Sequence, residues 1–171
     1  NRSKYSIGLN LKHPEAVKIV NKLVKKYDIV LEQFRPGVMK RLGLDYEKLR
    51  IQNSSLIFCS LTGYGQTGVY RSRAGHDLNY LAISGISNCS RRKNELPIPL
   101  GVQIADVAGG SYHAVIGILS AVIHRQLTGE GQAIDIIITD AMFSMNIFES
   151  EPWLAGGEGA EPESNFLNGG T

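Results

Sequence analysis

The stretch that decides the fold class is DIVLE at residues 28–32, a short apolar run between two acidic residues. A turn signal follows it, RPG at residues 35–37, and apolar positions then recur at helical spacing through residues 38–49. A second apolar run, SLIFCSL at residues 55–61, is typical of another buried strand. Strand, helix and strand with short connections indicate right-handed βαβ units, so the sequence predicts an α/β domain with a parallel sheet.

Further elements extend this pattern on both sides. Residues 5–11 (YSIGLNL) alternate apolar with small or polar residues, which predicts a strand, and Pro14 then marks the first turn of an amphipathic helix. Residues 69–105 are less regular. Three more elements are predicted after them: a long apolar helix over 107–127, a strand over 133–138 and a helix over 140–149.

Composition and charge exclude several classes of protein. The chain has 171 residues, 43% apolar and 20% charged, which excludes a disordered chain and favours one domain. Lys+Arg 18 against Asp+Glu 16 gives a net charge of +2, so we expect no nucleic-acid partner. No run reaches the roughly 18–20 apolar residues of a membrane span, and no signal peptide is visible. We therefore expect a soluble intracellular protein without a membrane span.

Cysteine and histidine spacing gives no indication of a metal site. Cys59 and Cys89 do not form a CxxC pair, and a chain of this size does not need disulfides, which favours a reducing compartment. His13, His113 and His124 show neither HxH nor HExxH spacing, so we expect no bound metal.

Candidate site residues lie where strands are predicted to end, because ligands gather at the carboxyl ends of parallel strands. These ends include residues 34–37 and the glycine-bearing loop TGYGQTG at residues 62–68. That loop is neither GxGxxG nor a Walker motif, so its glycines favour positive φ angles or close backbone approaches over a phosphate cradle.

Two side chains stand out as possible acid/base groups. His76 adjoins a carboxylate in GHDLNY at residues 75–80, and imidazole is the most usable general base near neutral pH. Asp106 precedes the long apolar helix, where it could cap the helix or act as a base or nucleophile. A lone His-Asp pair is more often structural and an Asp at a helix start is more often a cap, so the residues alone leave both readings open.

Several stretches in fixed order resemble the class III CoA-transferase (CaiB/BaiF) family, and within it the α-methylacyl-CoA racemase branch. They are residues 4–12 (KYSIGLNLK), 28–38 (DIVLEQFRPGV), 61–68 (LTGYGQTG), 74–80 (AGHDLNY), 105–110 (ADVAGG), 128–132 (TGEGQ) with Asp135 and 140–141, and 165–170 (NFLNGG). Tyr5 and Asn10 stand where the family more usually has Arg and Asp. The resemblance spans nearly the whole chain.

The resemblance implies a Rossmann-like parallel sheet flanked by helices. We expect residues 1–171 to form a single α/β domain that is an incomplete large domain, with the first strand and a second domain outside the chain. It also implies an interlocked homodimer in the full-length protein. The expected location is the cytoplasm, or a peroxisome or mitochondrion in a eukaryote.

The resemblance also implies an activity. In the racemase members the residues matching His76 and Asp106 are the two acid/base groups that invert the α-carbon of 2-methyl-branched acyl-CoA thioesters. In the transferase members the residue matching Asp106 is instead the nucleophile that moves CoA between carboxylic acids, and the histidine is generally missing. Coenzyme A is then part of the substrate, and we expect no tightly bound cofactor. A non-catalytic acyl-CoA-binding chain is a third reading.

Substrate contacts are likewise implied by the resemblance, and Arg35 is added because a permanently charged side chain at a strand end suits a phosphate group or a surface carboxylate. The implied acyl-CoA contacts are Leu9, Asn10, Leu11, Lys12, Gly75, Asp77, Leu78, Asn79 and Tyr80.

Overall fold

The computed structural model describes residues 2–159 and 161–163, and in them a three-stranded parallel sheet forms the centre of the fold. The strands are β1 (Ile29–Glu32), β2 (Ile57–Thr62) and β3 (Ala133–Ile137), and they lie side by side in that order. The predicted α/β class with a parallel sheet is therefore confirmed.

One or more helices precede β1, connect the strands and follow β3 along the chain. They are α1 (Pro14–Val24), α2 (Val38–Leu42), α3 (Tyr46–Gln52), α4 (Asp77–Ile83), α5 (Ile86–Cys89), a π-helix (Ala105–Tyr112) that runs directly into α6 (His113–Thr128), α7 (Ile138–Met145) and α8 (Ile147–Leu154).

Hydrophobic side chains pack on both faces of the central strand β2, because successive strand residues point to opposite sides. On one face, Phe58 packs with Leu44, Leu49 and Leu56 under α1, α2 and α3. On the other face the larger cluster, formed under α4, the π-helix, α6 and α7, contains Cys59, Leu61, Tyr80, Leu81, Ala105, Ala114, Ile138 and Met142. In β1, by contrast, Ile29 and Leu31 stay exposed, so the prediction that this apolar run is a buried strand is wrong as to burial.

A polar row crosses the sheet on the α2–α3 face. Glu32 of β1 pairs with Ser60 of β2, and Ser60 pairs with Asp135 of β3. Glu32 and Ser60 are buried. The Glu32 carboxylate accepts a hydrogen bond from the Phe34 N–H at 2.7 Å, and the Asp135 carboxylate accepts one from the Gln66 N–H at 2.9 Å. Backbone donors from the loops after β1 and β2 therefore stabilise two of the three polar side chains.

The predicted strand over residues 5–11 is wrong: residues 5–10 have no regular secondary structure, and residue 11 lies in a turn. A strand is held by ladder hydrogen bonds, and no strand in the described residues pairs with this segment. The family motif at residues 165–170 lies outside the described residues.

Helix boundaries differ from the predictions in three places. The pattern over residues 38–49 is two helices, because Gly43 ends α2 with φ +72° in the left-handed region. The irregular stretch over 69–105 contains the short helices α4 and α5. The helix predicted over 140–149 is divided between α7 and α8.

The longest helical stretch, Ala105–Thr128, contains 24 residues and is the one stretch of the described chain long and apolar enough to cross a membrane by length and composition. Core helices of soluble proteins pass the same test. Here the helix packs on β2 and β3 through its buried side, which includes Ala114 and Ala121, while Leu119 and Ile123 on its outer side stay exposed. The predicted long apolar helix over residues 107–127 is therefore confirmed, and the structure adds that it covers one face of the sheet.

Candidate active site

An open cavity of about 460 Å³ lies at the carboxyl ends of β1 and β2, where the sheet topology leads us to expect a ligand site. The loop after β1 contributes Arg35, the loop after β2 contributes Gly63, and the start of α4 contributes His76. Asp106 reaches the same cavity from the π-helix. His76 and Asp106, which are 30 positions apart in sequence, therefore line the same cavity.

His76 occupies the cap position immediately before α4, and its backbone is extended there. Its N–H donates a hydrogen bond to the side-chain oxygen of Asn79 at 2.9 Å. This bond satisfies a backbone donor at the helix start and fixes the residue's backbone. The exposed imidazole lies at the wall of the cavity, available for proton transfer.

Asp106 lies in the first turn of the π-helix and is half-buried. Its side chain caps no N–H group at the helix start, so the capping alternative is not what the structure shows. Instead, its own backbone N–H donates to the carboxylate of Asp77 at 3.0 Å. Burial raises the pKa of the Asp106 carboxyl, and the negative charge of Asp77 adds to the rise while His76 opposes it.

Tyr80 forms one wall of the cavity and is almost completely buried. Its ring lies against Gly63 and Gly75, where a Cβ on either glycine would overlap it. The Tyr64 ring meets it edge-on, with 5.3 Å between centroids. Burial raises the pKa of the Tyr80 hydroxyl, with smaller contributions from Tyr64, Asp106 and Asp77, so the phenol stays protonated.

Three arginines give the cavity a positive side. Arg35, Arg71 and Arg73 all line it, and the Arg73 guanidinium lies 4.5 Å from the centre of the Tyr70 ring, which restricts its motion. Sequence reasoning named Arg35 alone. The signal for the other two was the pair of basic residues a few positions before the GHDLNY motif, in the stretch RSRAGHDLNY.

The model of CoA-transferase family III matches residues 1–168, almost the entire chain. The chain belongs to CoA-transferase family III. The resemblance stated from the motifs is therefore confirmed.

Relatives within family III bear two kinds of name. A succinate–glutarate CoA-transferase of Agrobacterium fabrum is 39% identical over 157 residues, covering 92% of this chain and 39% of that protein. Human α-methylacyl-CoA racemase is 40% identical over 148 residues, covering 86% of this chain and 38% of that protein. The crystal structure of a CaiB/BaiF family protein from Brucella suis is 38% identical with a TM-score of 0.88, covering 95% of this chain and 43% of that one. The chain thus spans less than half the length of each of these family III proteins.

The glycines of the loop at residues 62–68 are predicted to allow positive φ angles or close backbone approaches, and the geometry of the loop agrees with this prediction. Gly65 has φ +79°, a conformation that L side chains rarely adopt. Its N–H donates to the Thr62 hydroxyl at 3.0 Å, which closes the turn after β2.

Some implied contacts of this family III chain lie away from the cavity. Residues 9–12 lie before α1, where Leu11 packs against the core cluster of α1–α3 and the Asn10 side chain accepts from the Lys12 N–H. Asp77, Leu78 and Asn79 are in the first turn of α4 but do not line the cavity, whereas Gly75, Tyr80 and Arg35 do. Substrate roles for all of these residues stay predictions. Among the described residues, no group of three or more His, Cys, Asp or Glu side chains is placed to hold a metal.

Proposed function

We propose that this chain supplies the acid/base residues of an acyl-CoA racemase that inverts the α-carbon of 2-methyl-branched acyl-CoA thioesters. The observation that carries the proposal is the presence of His76 and Asp106 on one cavity at the strand ends. Homologues named as racemases agree with it. Because the chain spans less than half of those proteins, the proposal concerns the complete protein.

The chemistry requires two groups of this kind. The α-proton of a thioester is weakly acidic, so inversion needs a base on one face of the carbon and a conjugate acid on the other. An imidazole titrates near neutral pH, and a carboxyl whose pKa is raised is a stronger base and holds its proton more readily than an ordinary aspartate. The raised pKa of Asp106 therefore brings it closer to that of histidine and favours proton exchange in both directions.

The enolate between the two steps carries negative charge. Two helices begin at the cavity, α4 after His76 and the π-helix that contains Asp106, and the N-terminal ends of helices favour negative charge. The arginines Arg35, Arg71 and Arg73 supply positive charge for the phosphates of the coenzyme A part of the substrate. We include a homodimeric, intracellular enzyme without a tightly bound cofactor in this proposal.

A CoA-transferase is the second candidate, since homologues are also named as transferases. In that reaction the Asp106 carboxylate would attack the thioester, and a carboxylate that opens on a cavity has the access this step requires. His76 would then have no proton to move.

The deciding experiment is solvent deuterium exchange at the α-carbon of a 2-methylacyl-CoA, catalysed by the complete protein in the absence of any acceptor acid. We expect deuterium incorporation, measured by mass spectrometry, together with loss of stereochemical purity, measured by chiral analysis. His76→Ala should slow inversion of the α-carbon roughly 10²–10⁴-fold, the usual contribution of a positioned acid/base group.

The matched control is His124→Ala, which changes an exposed histidine near the end of α6 and should leave exchange unaltered. Normal inversion of the α-carbon by His76→Ala contradicts the role given to His76. CoA appearing on an added carboxylic acid, with no deuterium incorporated, moves the assignment to a transferase.

A further inference from the structure

The Asp77 carboxylate lies between the two helix starts that carry His76 and Asp106. Asp77 is the first residue of α4, directly after His76, and its side chain is buried, with 8% exposed. Its Oδ1 atom accepts the hydrogen bond from the Asp106 backbone N–H at 3.0 Å. One side chain thus bridges the helix of one reacting residue and the backbone of the other.

This position is unusual for an acidic residue. Asp side chains are rarely buried without a partner that offsets their charge. None of the ion pairs found within residues 2–159 and 161–163 includes Asp77, and Asp77 does not line the cavity. The Asp77 carboxylate accepts the hydrogen bond from the Asp106 N–H, and it lies in the first turn of α4, where a negative charge is favourable.

We propose that Asp77 is a positioning residue, whose carboxylate ties the start of α4 to the start of the π-helix and so sets the separation of His76 and Asp106. This inference rests on the proposed function, in which those two residues exchange protons with the substrate. It assigns the Asp77 side chain to the protein framework and away from direct contact with coenzyme A.

The electrostatic effect of Asp77 agrees with this geometry. Two carboxyl groups held close together disfavour a second negative charge, so Asp77 contributes to the raised pKa of Asp106, after burial as the larger cause. His76 acts in the opposite direction, and Tyr80 of α4 also interacts with both carboxylates.

The other charged side chains near the π-helix line either a separate cavity or the active-site cavity. His113 of α6, Asp135 of β3 and Asp140 of α7 line a separate cavity of about 270 Å³. The arginines Arg35, Arg71 and Arg73, already placed on the active-site cavity, are the remaining cations on that side.

Two substitutions separate the hydrogen bond from the charge. Asp77→Asn keeps an oxygen that can accept from the Asp106 N–H but removes the negative charge. Asp77→Ala removes both. Glu47→Gln is the matched control, because Glu47 is also an acidic residue in the first turn of a helix, is exposed, and lies on the opposite face of the sheet.

The first readouts need no turnover. In the complete protein, ¹³C NMR titration of the Asp106 carboxyl, assigned with Asp106→Asn, should give a lower Asp106 pKa in both Asp77 variants and no change in Glu47→Gln. Hydrogen exchange of the Asp106 amide should stay slow in Asp77→Asn and become faster in Asp77→Ala. Exchange of the Asp106 amide that is as slow in Asp77→Ala as in the wild type overturns the proposal. Where Asp77→Ala fails to fold, an unchanged Asp106 pKa in Asp77→Asn overturns it, because the two carboxyl groups are then not held close together.

The kinetic readout distinguishes positioning from binding. A reacting pair displaced by about 1 Å loses on the order of 100-fold in rate. Asp77→Ala should therefore lower kcat by about that factor with KM little changed, and Asp77→Asn should recover most of kcat with a pH profile shifted to lower pH. A change in KM alone would make Asp77 a substrate ligand and overturn the proposal.

Failure of the proposed function gives a different result. If the wild-type protein transfers CoA and exchanges no α-proton, the racemase assignment fails, yet Asp106 remains the reacting carboxylate and the same kcat and NMR comparisons apply to the transfer reaction.

Discussion

Gly75→Ala is the substitution for which the geometry gives the sharpest expectation. A Cβ at position 75 would lie 2.7 Å from Tyr80 Cε1 and 2.8 Å from the Tyr64 hydroxyl oxygen. Carbon atoms in ordinary contact are about 3.5–4.0 Å apart, so the Tyr80 ring would have to move by roughly 1 Å. It has little room to do so, because Gly63 contacts it as well.

The magnitude follows from this overlap. Forcing an extra methyl group into a packed region costs about 1–3 kcal/mol. We therefore expect Gly75→Ala to lower the free energy of unfolding of the complete protein by about that amount and to lower its Tm, as measured by circular dichroism during heating.

Gly101→Ala is the control, because nothing lies within 4 Å of a Cβ at that position. A second test pairs Gly75→Ala with Tyr80→Ala, which empties the contested space and should make the two effects on stability clearly non-additive. Equal Tm values for Gly75→Ala and Gly101→Ala would refute the reasoning, as would strict additivity in the double variant.

Two further predictions concern the two faces of the sheet. Burial, with the charges of Glu32 and Asp135, raises the pKa of the Cys59 thiol to about 11, so the folded protein keeps the thiol protonated where the unfolded chain ionises near pH 9. The stabilisation from the protonated Cys59 thiol is therefore complete below about pH 9 and is lost as the pH rises toward 11. Denaturation midpoints should fall less across this pH range in Cys59→Ala than in the wild type. An equal fall in both proteins would contradict the pKa given to Cys59. On the other face, Leu49→Ala should cost about 2–5 kcal/mol in guanidinium unfolding because Leu49 is completely buried, whereas Ile51→Ala on the same helix, at a position 79% exposed, should change stability by less than about 0.5 kcal/mol.

Two of the three strands were predictable from apolar runs, although only β2 is buried, whereas Ile29 and Leu31 of β1 stay exposed. β1 and β2 are short apolar runs between turn signals, and they form where the pattern placed them. The segment at residues 5–11 has an equally good alternation, but no strand among the described residues lies beside it, so the alternation predicts a strand that the structure does not contain. The break between α2 and α3 depends on the left-handed conformation of Gly43, and the spacing of apolar residues does not predict this conformation.

The site was predictable as a set of residue types and only partly as an arrangement. His76 and Asp106 could be paired through the family motifs, and the packing of α4 against the π-helix brings both to the cavity. The link from Asp77 to the Asp106 backbone could not be read from the sequence, because it depends on which way a buried side chain turns. Arg71 was overlooked because it lies in a stretch that the patterning left without structure.

The polar row of Glu32, Ser60 and Asp135 bears on how the strands find their alignment during folding. Strands made only of apolar residues fit one another in several alignments, since a slip of two residues again buries apolar side chains on the same face. Such a slip would set Glu32 beside Phe58 or Thr62 in place of Ser60. In the neighbouring strand pair, a slip of β3 against β2 would carry the Asp135 carboxylate away from the Gln66 N–H that follows β2, which would lose a hydrogen bond worth about 1 kcal/mol. The hydrogen bond between Gln66 and Asp135 therefore favours the observed alignment of β2 and β3 over a slipped one.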